Sequence, residues 1–164
     1  VEAVAMVKNI LILGQGQSGK DQLAAKLNKN YTNISLWFAK HHLTAYMYSR
    51  NIKYYPTAQK CYDDRGNYRA LWKKQMQLFN KNHNLVDIAL ANGGIYCGMR
   101  SQAEFDLNSH KFDVIVFIKR PGTVADPTLE INFKPDTMLL FNNDGGLEGF
   151  DRWIKTNNNV LYTV

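Results

Sequence analysis

Residues 10–13, Ile-Leu-Ile-Leu, run straight into Gly14-Gln15-Gly16-Gln17-Ser18-Gly19-Lys20-Asp21, and apolar spacing of a helical kind resumes from Leu23 to Leu27. A wholly apolar strand has to be covered on both faces, which puts it inside a sheet. The glycines allow a reversal tight enough for backbone N–H groups to curl around an anion, and the helix behind them adds partial positive charge. Lys20 then brings a full charge to the terminal phosphates of a nucleotide. The spacing is Gly-x4-Gly-Lys in a strand–loop–helix context, with Asp21 where a Ser or Thr usually follows. A nucleotide-phosphate loop is therefore expected over Gly14, Gln15, Gly16, Gln17, Ser18, Gly19, Lys20, Asp21 and Gln22.

The rest of the chain gives that loop a setting. Apolar, β-rich runs recur at residues 9–13, 95–99, 114–118 and 138–141, with a weaker one at 34–37. Helical patterns separate them: Tyr68, Leu71, Trp72, Leu78 and Phe79 fall mostly on one face, residues 85–90 continue or restart it, and Ser101-Gln102-Ala103-Glu104 reads as a capping box. Leu147, Phe150, Trp153 and Ile154 form an apolar stripe on a last helix, and residues 160–163 read as a closing strand. Alternation of this kind predicts a three-layer α/β fold with a mostly parallel, five-stranded sheet. At 164 residues, 45% of them hydrophobic, the chain suits a single domain. No run approaches the about 20 apolar residues of a membrane span, so no membrane partner is expected. Residues 1–5 lack the pattern of a signal peptide, and a natural start at Met6, with 1–5 an added remnant, is expected. Two cysteines, Cys61 and Cys97, make no disulfide framework, and a reduced, cytoplasmic setting is the simpler reading. The net charge of +6 favours anionic partners, and a nucleotide satisfies that as well as nucleic acid does.

Ligands of open parallel sheets sit beyond the carboxyl ends of the strands, which singles out a few further residues. Arg100, after residues 95–99, is placed to hold a second phosphate; the alternative is a surface arginine paired with Glu104. Lys119-Arg120-Pro121 opens a long aperiodic stretch, 122–135, of the kind that forms lids, with Arg120 at its root to neutralise a transferring phosphoryl group. Asp63-Asp64-Arg65-Gly66-Asn67-Tyr68-Arg69 is the densest polar cluster. If a helix starts there, Arg65 and Arg69 share a face and an anion between them relieves their repulsion; a solvated helix start capped by Asp63 or Asp64 is the alternative. His41, His42, His83, His110 and the cysteines show no zinc spacing. Phosphoryl transfer usually needs magnesium, and with no acid at a strand end Asp21 is the best-placed ligand, directly or through water.

Taken together, the glycine loop, Gly98-Met99-Arg100, the lid-like stretch and Asn143-Asp144-Gly145 resemble the P-loop nucleoside monophosphate kinases, most closely the small (deoxy)nucleoside monophosphate kinases of bacteriophages. The resemblance runs from Lys8 to the C-terminus. Ser18-Gly19-Lys20-Asp21 matches the loop of that group, and the stretch from Cys61 to Arg69 with Trp72 is similar to one in phage kinase-like proteins. It implies a P-loop kinase fold with ATP and Mg2+ as cofactors, with Asn143, Asp144 and Gly145 passing the nucleotide base. Lys20, Arg100 and Arg120 become the catalytic cations, and Asp64, Arg65, Arg69, Trp72 and Arg100 the acceptor site. The implied reaction moves the γ-phosphoryl of ATP to a (deoxy)nucleoside monophosphate. Two alternatives remain at this level: a phage kinase acting on a 5-hydroxymethylated pyrimidine in DNA, with Asp63 or Asp64 as base, and a nucleotide-binding module without catalysis. Oligomeric state and base preference are not encoded in any motif.

Overall fold

A computed structural model describes residues 5–163, so the expected remnant at 1–5 lies almost wholly outside the described residues. The elements follow in the order β1 (Ile10–Leu13), α1 (Lys20–Leu27), α2 (Ile34–Phe38), a π-helical turn (Ala39–Leu43), α3 (Thr44–Ser49), α4 (Ala58–Asp63), a 3-10 turn (Arg65–Asn67), α5 (Arg69–Phe79) and α6 (Leu85–Ala91). Then come β2 (Ile95–Cys97), α7 (Gln102–Asn108), β3 (Val114–Lys119), β4 (Leu139–Asn142), α8 (Gly146–Thr156) and α9 (Asn158–Leu161). The four strands form one all-parallel sheet in the order β2-β1-β3-β4, registered through Ile10↔Ile95, Ile10↔Val114 and Val116↔Leu139.

Side chains of a strand alternate between its faces, and β1 shows why all four of its residues are apolar. Ile10 and Ile12 enter a core with Leu23 of α1, Phe150 of α8 and Leu161 of α9. Leu11 and Leu13 enter a second core with Phe38, Met47, Trp72 and Val86 from the helices of the opposite layer. Helices thus cover both faces, and every residue of β1 is fully buried. Leaving β1, the chain first builds β2 on one side and then crosses to β3 on the other. The carboxyl end of β1 is therefore the switch point at which such sheets open a crevice.

Two expectations fail. The run at 34–37 is not a strand but α2: Asn33 caps it by accepting the Leu36 N–H at 3.1 Å, and Ile34 and Phe38 are buried one turn apart. The π-turn that follows adds one residue to the helical repeat, so that Leu43 and Met47 continue the buried stripe out of strict register. The sheet consequently has four strands rather than five and no antiparallel member. Residues 160–163 are likewise not a strand; α9 reaches Leu161, and only Tyr162 makes a single antiparallel bridge to Val7. The capping box at Ser101 is half formed. The Ser101 hydroxyl accepts the Glu104 N–H at 3.3 Å, while the Glu104 carboxylate turns elsewhere. No helix among the described residues is long and apolar enough to cross a membrane.

Candidate functional site

The turn from β1 into α1 is fixed by close approach. Gly19 has φ +102°, and a Cβ there would lie 2.7 Å from Nδ2 of Asn143; at Gly16 a Cβ would lie 2.2 Å from a guanidinium nitrogen of Arg69. At Gly19 the positive φ and the close approach together require glycine, whereas at Gly16 a side chain would have to displace the Arg69 guanidinium. Asn143, buried at the end of β4, donates to the Ser18 carbonyl at 2.9 Å and so ties the loop to the far strand. Lys20 folds back under the loop, its Nζ donating to the carbonyls of Gly14 (3.0 Å) and Gln15 (2.6 Å). Burial, with the charge of Arg100 next, lowers its pKa to about 8.

On one side of the loop lies a cavity of about 420 Å³ whose wall includes Lys20, Asp21, Arg65, Arg69, Arg100 and Arg120. Sequence reasoning named all six, and they come from the first turn of α1, the 3-10 turn, the start of α5 and the segments after β2 and β3. Arg69 and Arg100 converge on a residue to which the sequence assigned no role. Asp126, buried within the 122–135 stretch, pairs with Arg69 Nε at 3.2 Å and accepts a hydrogen bond from Arg100 Nη1. The Thr128 amide (2.9 Å) and hydroxyl (2.7 Å) hold the other carboxylate oxygen. Burial works against ionisation of Asp126, but these hydrogen bonds and the two arginines outweigh it and hold its pKa below the ordinary range. Burial and the nearby Arg69 in turn lower Arg100 to about 10. The Asp126 N–H donates to Oε1 of Gln15 at 2.8 Å, so the stretch is bonded to the glycine loop itself.

Asp21 faces the same cavity. It accepts from the Tyr62 hydroxyl at 2.6 Å and the Tyr31 hydroxyl at 3.4 Å, and Arg65, stacked 3.8 Å over the Tyr62 ring, lies 3.8 Å from its carboxylate. Burial, then the charge of Asp21, pushes Tyr62 up to about 12, keeping it a donor. Among the described residues no three His, Cys, Asp or Glu side chains gather as a metal-binding set, so Asp21 stands as a single carboxylate. Trp72 lines the cavity as expected, whereas Asp64 does not. Its carboxylate is taken up by the Tyr55 hydroxyl (2.5 Å), Lys53 (3.0 Å) and Asn67 (2.5 Å), contacts that lower its pKa to about 2. Arg100 does not pair with Glu104 either, since that carboxylate accepts from Tyr96.

Across the loop is a second recess, about 360 Å³, formed by Gln22, Arg120, Asn143, Asp144, Gly146 and Leu147. Two of the three residues expected along a nucleotide base, Asn143 and Asp144, line it, and Gly145 adjoins them as the residue capping α8. Arg120 borders both recesses and donates to the Gln17 carbonyl at 3.3 Å. Comparison of the chain with protein-family models and with curated proteins finds no match. Function therefore has to be argued from this arrangement. The glycine loop and Lys20 line the cavity crowded with guanidinium groups, a second and nearly neutral recess begins beside them at Gln22, and Arg120 borders both.

Proposed function

We propose that this protein is an ATP-dependent phosphotransferase of P-loop kinase type that moves the γ-phosphoryl group of ATP to a (deoxy)nucleoside monophosphate. The observation that carries the reading is the pair of recesses meeting at the glycine loop, since a reaction between two nucleotides needs two sites sharing one phosphoryl position. The donor lies along the recess of Asn143 and Asp144, with its phosphates in the loop. There the backbone amides and Lys20 hold them, Lys20 exchanging its carbonyl partners for phosphate oxygens. The acceptor phosphate takes Arg65, Arg69 and Arg100, displacing Asp126 from the last two. Arg69 and Arg100 share the single carboxylate of Asp126 while Arg65 lies by Asp21, and the surplus positive charge is neutralised better by a dianionic phosphate than by Asp126. Arg120, at the junction, stabilises charge on the group in flight.

Magnesium fits this arrangement. The ion takes one or two carboxylates and otherwise phosphate and water, and Asp21 beside Lys20 supplies one carboxylate already ordered by two tyrosine hydroxyls. When bound it offsets charge on the donor phosphates. A phosphate monoester needs no base to attack. The alternative acceptor, a hydroxymethyl group in DNA, does, and the Asp63–Asp64 pair named for that task does not line the cavity. Asp63 bonds Gln59 at 2.9 Å and Asp64 is held by Tyr55 and Lys53, which favours the monophosphate. The test is label transfer from γ-labelled ATP, with magnesium, to each deoxynucleoside monophosphate and to hydroxymethylated DNA. Transfer to a monophosphate is expected; transfer to DNA alone, or to neither, overturns the reading.

A further inference from the structure

The cavity that receives the acceptor phosphate continues, beyond its arginines, to a wall of different chemistry. Trp72, Met76 and Met99 supply its apolar part, Lys73, Gln77 and Ser101 are polar neighbours, and Tyr96 and Glu104 form a hydrogen-bonded pair within it. Tyr96 is on β2, nearly fully buried, and its hydroxyl donates to Oε1 of Glu104 at 2.8 Å. Glu104 is in the first turn of α7, where its backbone N–H is satisfied by Ser101. None of the described lysines or arginines pairs with this carboxylate, although Lys20, Arg65, Arg69, Lys73, Arg100 and Arg120 line the same cavity. A carboxylate kept out of ion pairs in a cationic cavity costs desolvation that structure alone does not recover. Its hydroxyl neighbour spends its only proton on Glu104. Burial raises the Glu104 pKa and the Tyr96 hydrogen bond works against that rise; as the carboxylate, the pair offers acceptors: the second carboxylate oxygen, the remaining lone pair of the first, and the tyrosine oxygen.

On the reading that this cavity takes the acceptor nucleotide, we propose that Glu104, oriented by Tyr96, selects a guanine base, and that the preferred acceptor is GMP or dGMP. Guanine alone among the common bases presents two adjacent donors, the ring N1–H and the 2-amino group, which match two acceptors side by side. Adenine and cytosine each set an amine beside a ring acceptor, and thymine flanks its single N–H with two carbonyls, so each turns at least one lone pair toward the carboxylate. Trp72 and Met76 supply the apolar wall for the ring, while the phosphate reaches Arg69 and Arg100.

Binding of dGMP, dIMP, dTMP and dAMP to the intact protein, followed by calorimetry and by KM in the label-transfer assay, tests this. dIMP differs from dGMP only in lacking the 2-amino group, so the comparison needs no variant. dGMP is expected to bind about tenfold or more tighter than dIMP, the discrimination that a charge-assisted hydrogen bond supplies. Glu104→Gln should remove most of that preference by raising KM for dGMP with little change in kcat, and should lower KM for dTMP or leave it no higher, since the amide NH2 can donate to a thymine carbonyl; Tyr96→Phe should weaken the dGMP preference less. Equal affinity for dGMP and dIMP overturns the base assignment, as does an equal loss for dGMP and dTMP in Glu104→Gln, which marks a purely structural carboxylate. If another monophosphate is phosphorylated in preference to dGMP, the base assignment fails while the kinase reading stands. If no monophosphate binds at all, both fall together.

Discussion

The glycine loop is flanked by two recesses built in opposite ways. Toward α8 the loop is held by backbone and by one neutral amide, Asn143 bonding the Ser18 carbonyl, and the recess beside it carries few charges. Toward α5 and α7 the walls are charged side chains held by one another: Asp126 between Arg69 and Arg100, and Asp21 between Tyr62 and Arg65. A backbone-built site keeps its shape when a side chain is changed. A site made of mutually balanced charges loses geometry and potential together, because removal of one member leaves its buried partner unpaired. On the proposed assignment the donor side should therefore tolerate substitution better than the acceptor side, and its response to pH should come from Lys20.

Substitution of Lys20, which lines the arginine-rich cavity and on the proposed reading holds the donor phosphates, should give the largest effect. Lys20→Met is expected to lower label transfer by about 10²-fold or more while the thermal transition stays cooperative. Wild-type turnover in the folded variant would remove the loop from the mechanism. Next, Arg100→Ala should raise the acceptor KM by about tenfold or more with a smaller change in kcat, and Arg120→Ala, at the junction, should act mainly on kcat. Should Arg100→Ala change the KM for ATP instead, the two recesses have been assigned the wrong way round.

The pH dependence carries a sign that separates activity from stability. Lys20 titrates near 8 in the folded chain, below its ordinary 10.5. Its charged form is what the fold penalises, so the penalty is complete below pH 8 and fades as pH rises from there toward 10.5. Over that window the protein should gain stability from this group while kcat/KM for ATP falls, by about tenfold near pH 9. A profile flat to pH 10 in the unliganded protein would mean that Lys20 stays charged. The smallest effect is expected on the donor side, where Asn143→Ala should raise the KM for ATP by about threefold and cost about 1–3 kcal/mol, from the Ser18 carbonyl left without its partner. A loss as large as that of Arg100→Ala would erase the contrast between the recesses.

The strand–loop–helix unit was legible because its information is local: a strand, three glycines and a lysine at fixed spacing specify the loop without reference to the rest of the chain. β1, β3, α5 and α8 were readable for the same reason, being long or strongly patterned. α2 was misread as a strand because the π-turn breaks the helical repeat between Phe38 and Leu43, leaving a short apolar run with no visible period. The acceptor side was only half legible. Its arginines could be listed from strand ends and clusters, but Asp126 sits in an aperiodic stretch, and its partnership with Arg69 and Arg100 spans 57 and 26 positions of the chain. No local pattern marks a contact of that range. Glu104 was noticed as a helix cap, and its place in the cavity follows only from the sheet that brings β2 beside β1.

The order of the strands also sets a timetable for synthesis. β1 leaves the ribosome before the strands it pairs with, Ile95 and its neighbours on one side and Val114 and its neighbours on the other. At about 5–20 residues per second, the four residues of β1 wait roughly 4–17 s before either partner emerges. Through that interval an apolar segment without its partners is exposed to wrong partners on other nascent chains. Chaperone occupancy, crowding of polysomes and the rate of translation between codons 14 and 95 should therefore govern the yield of folded protein more than any substitution on its surface.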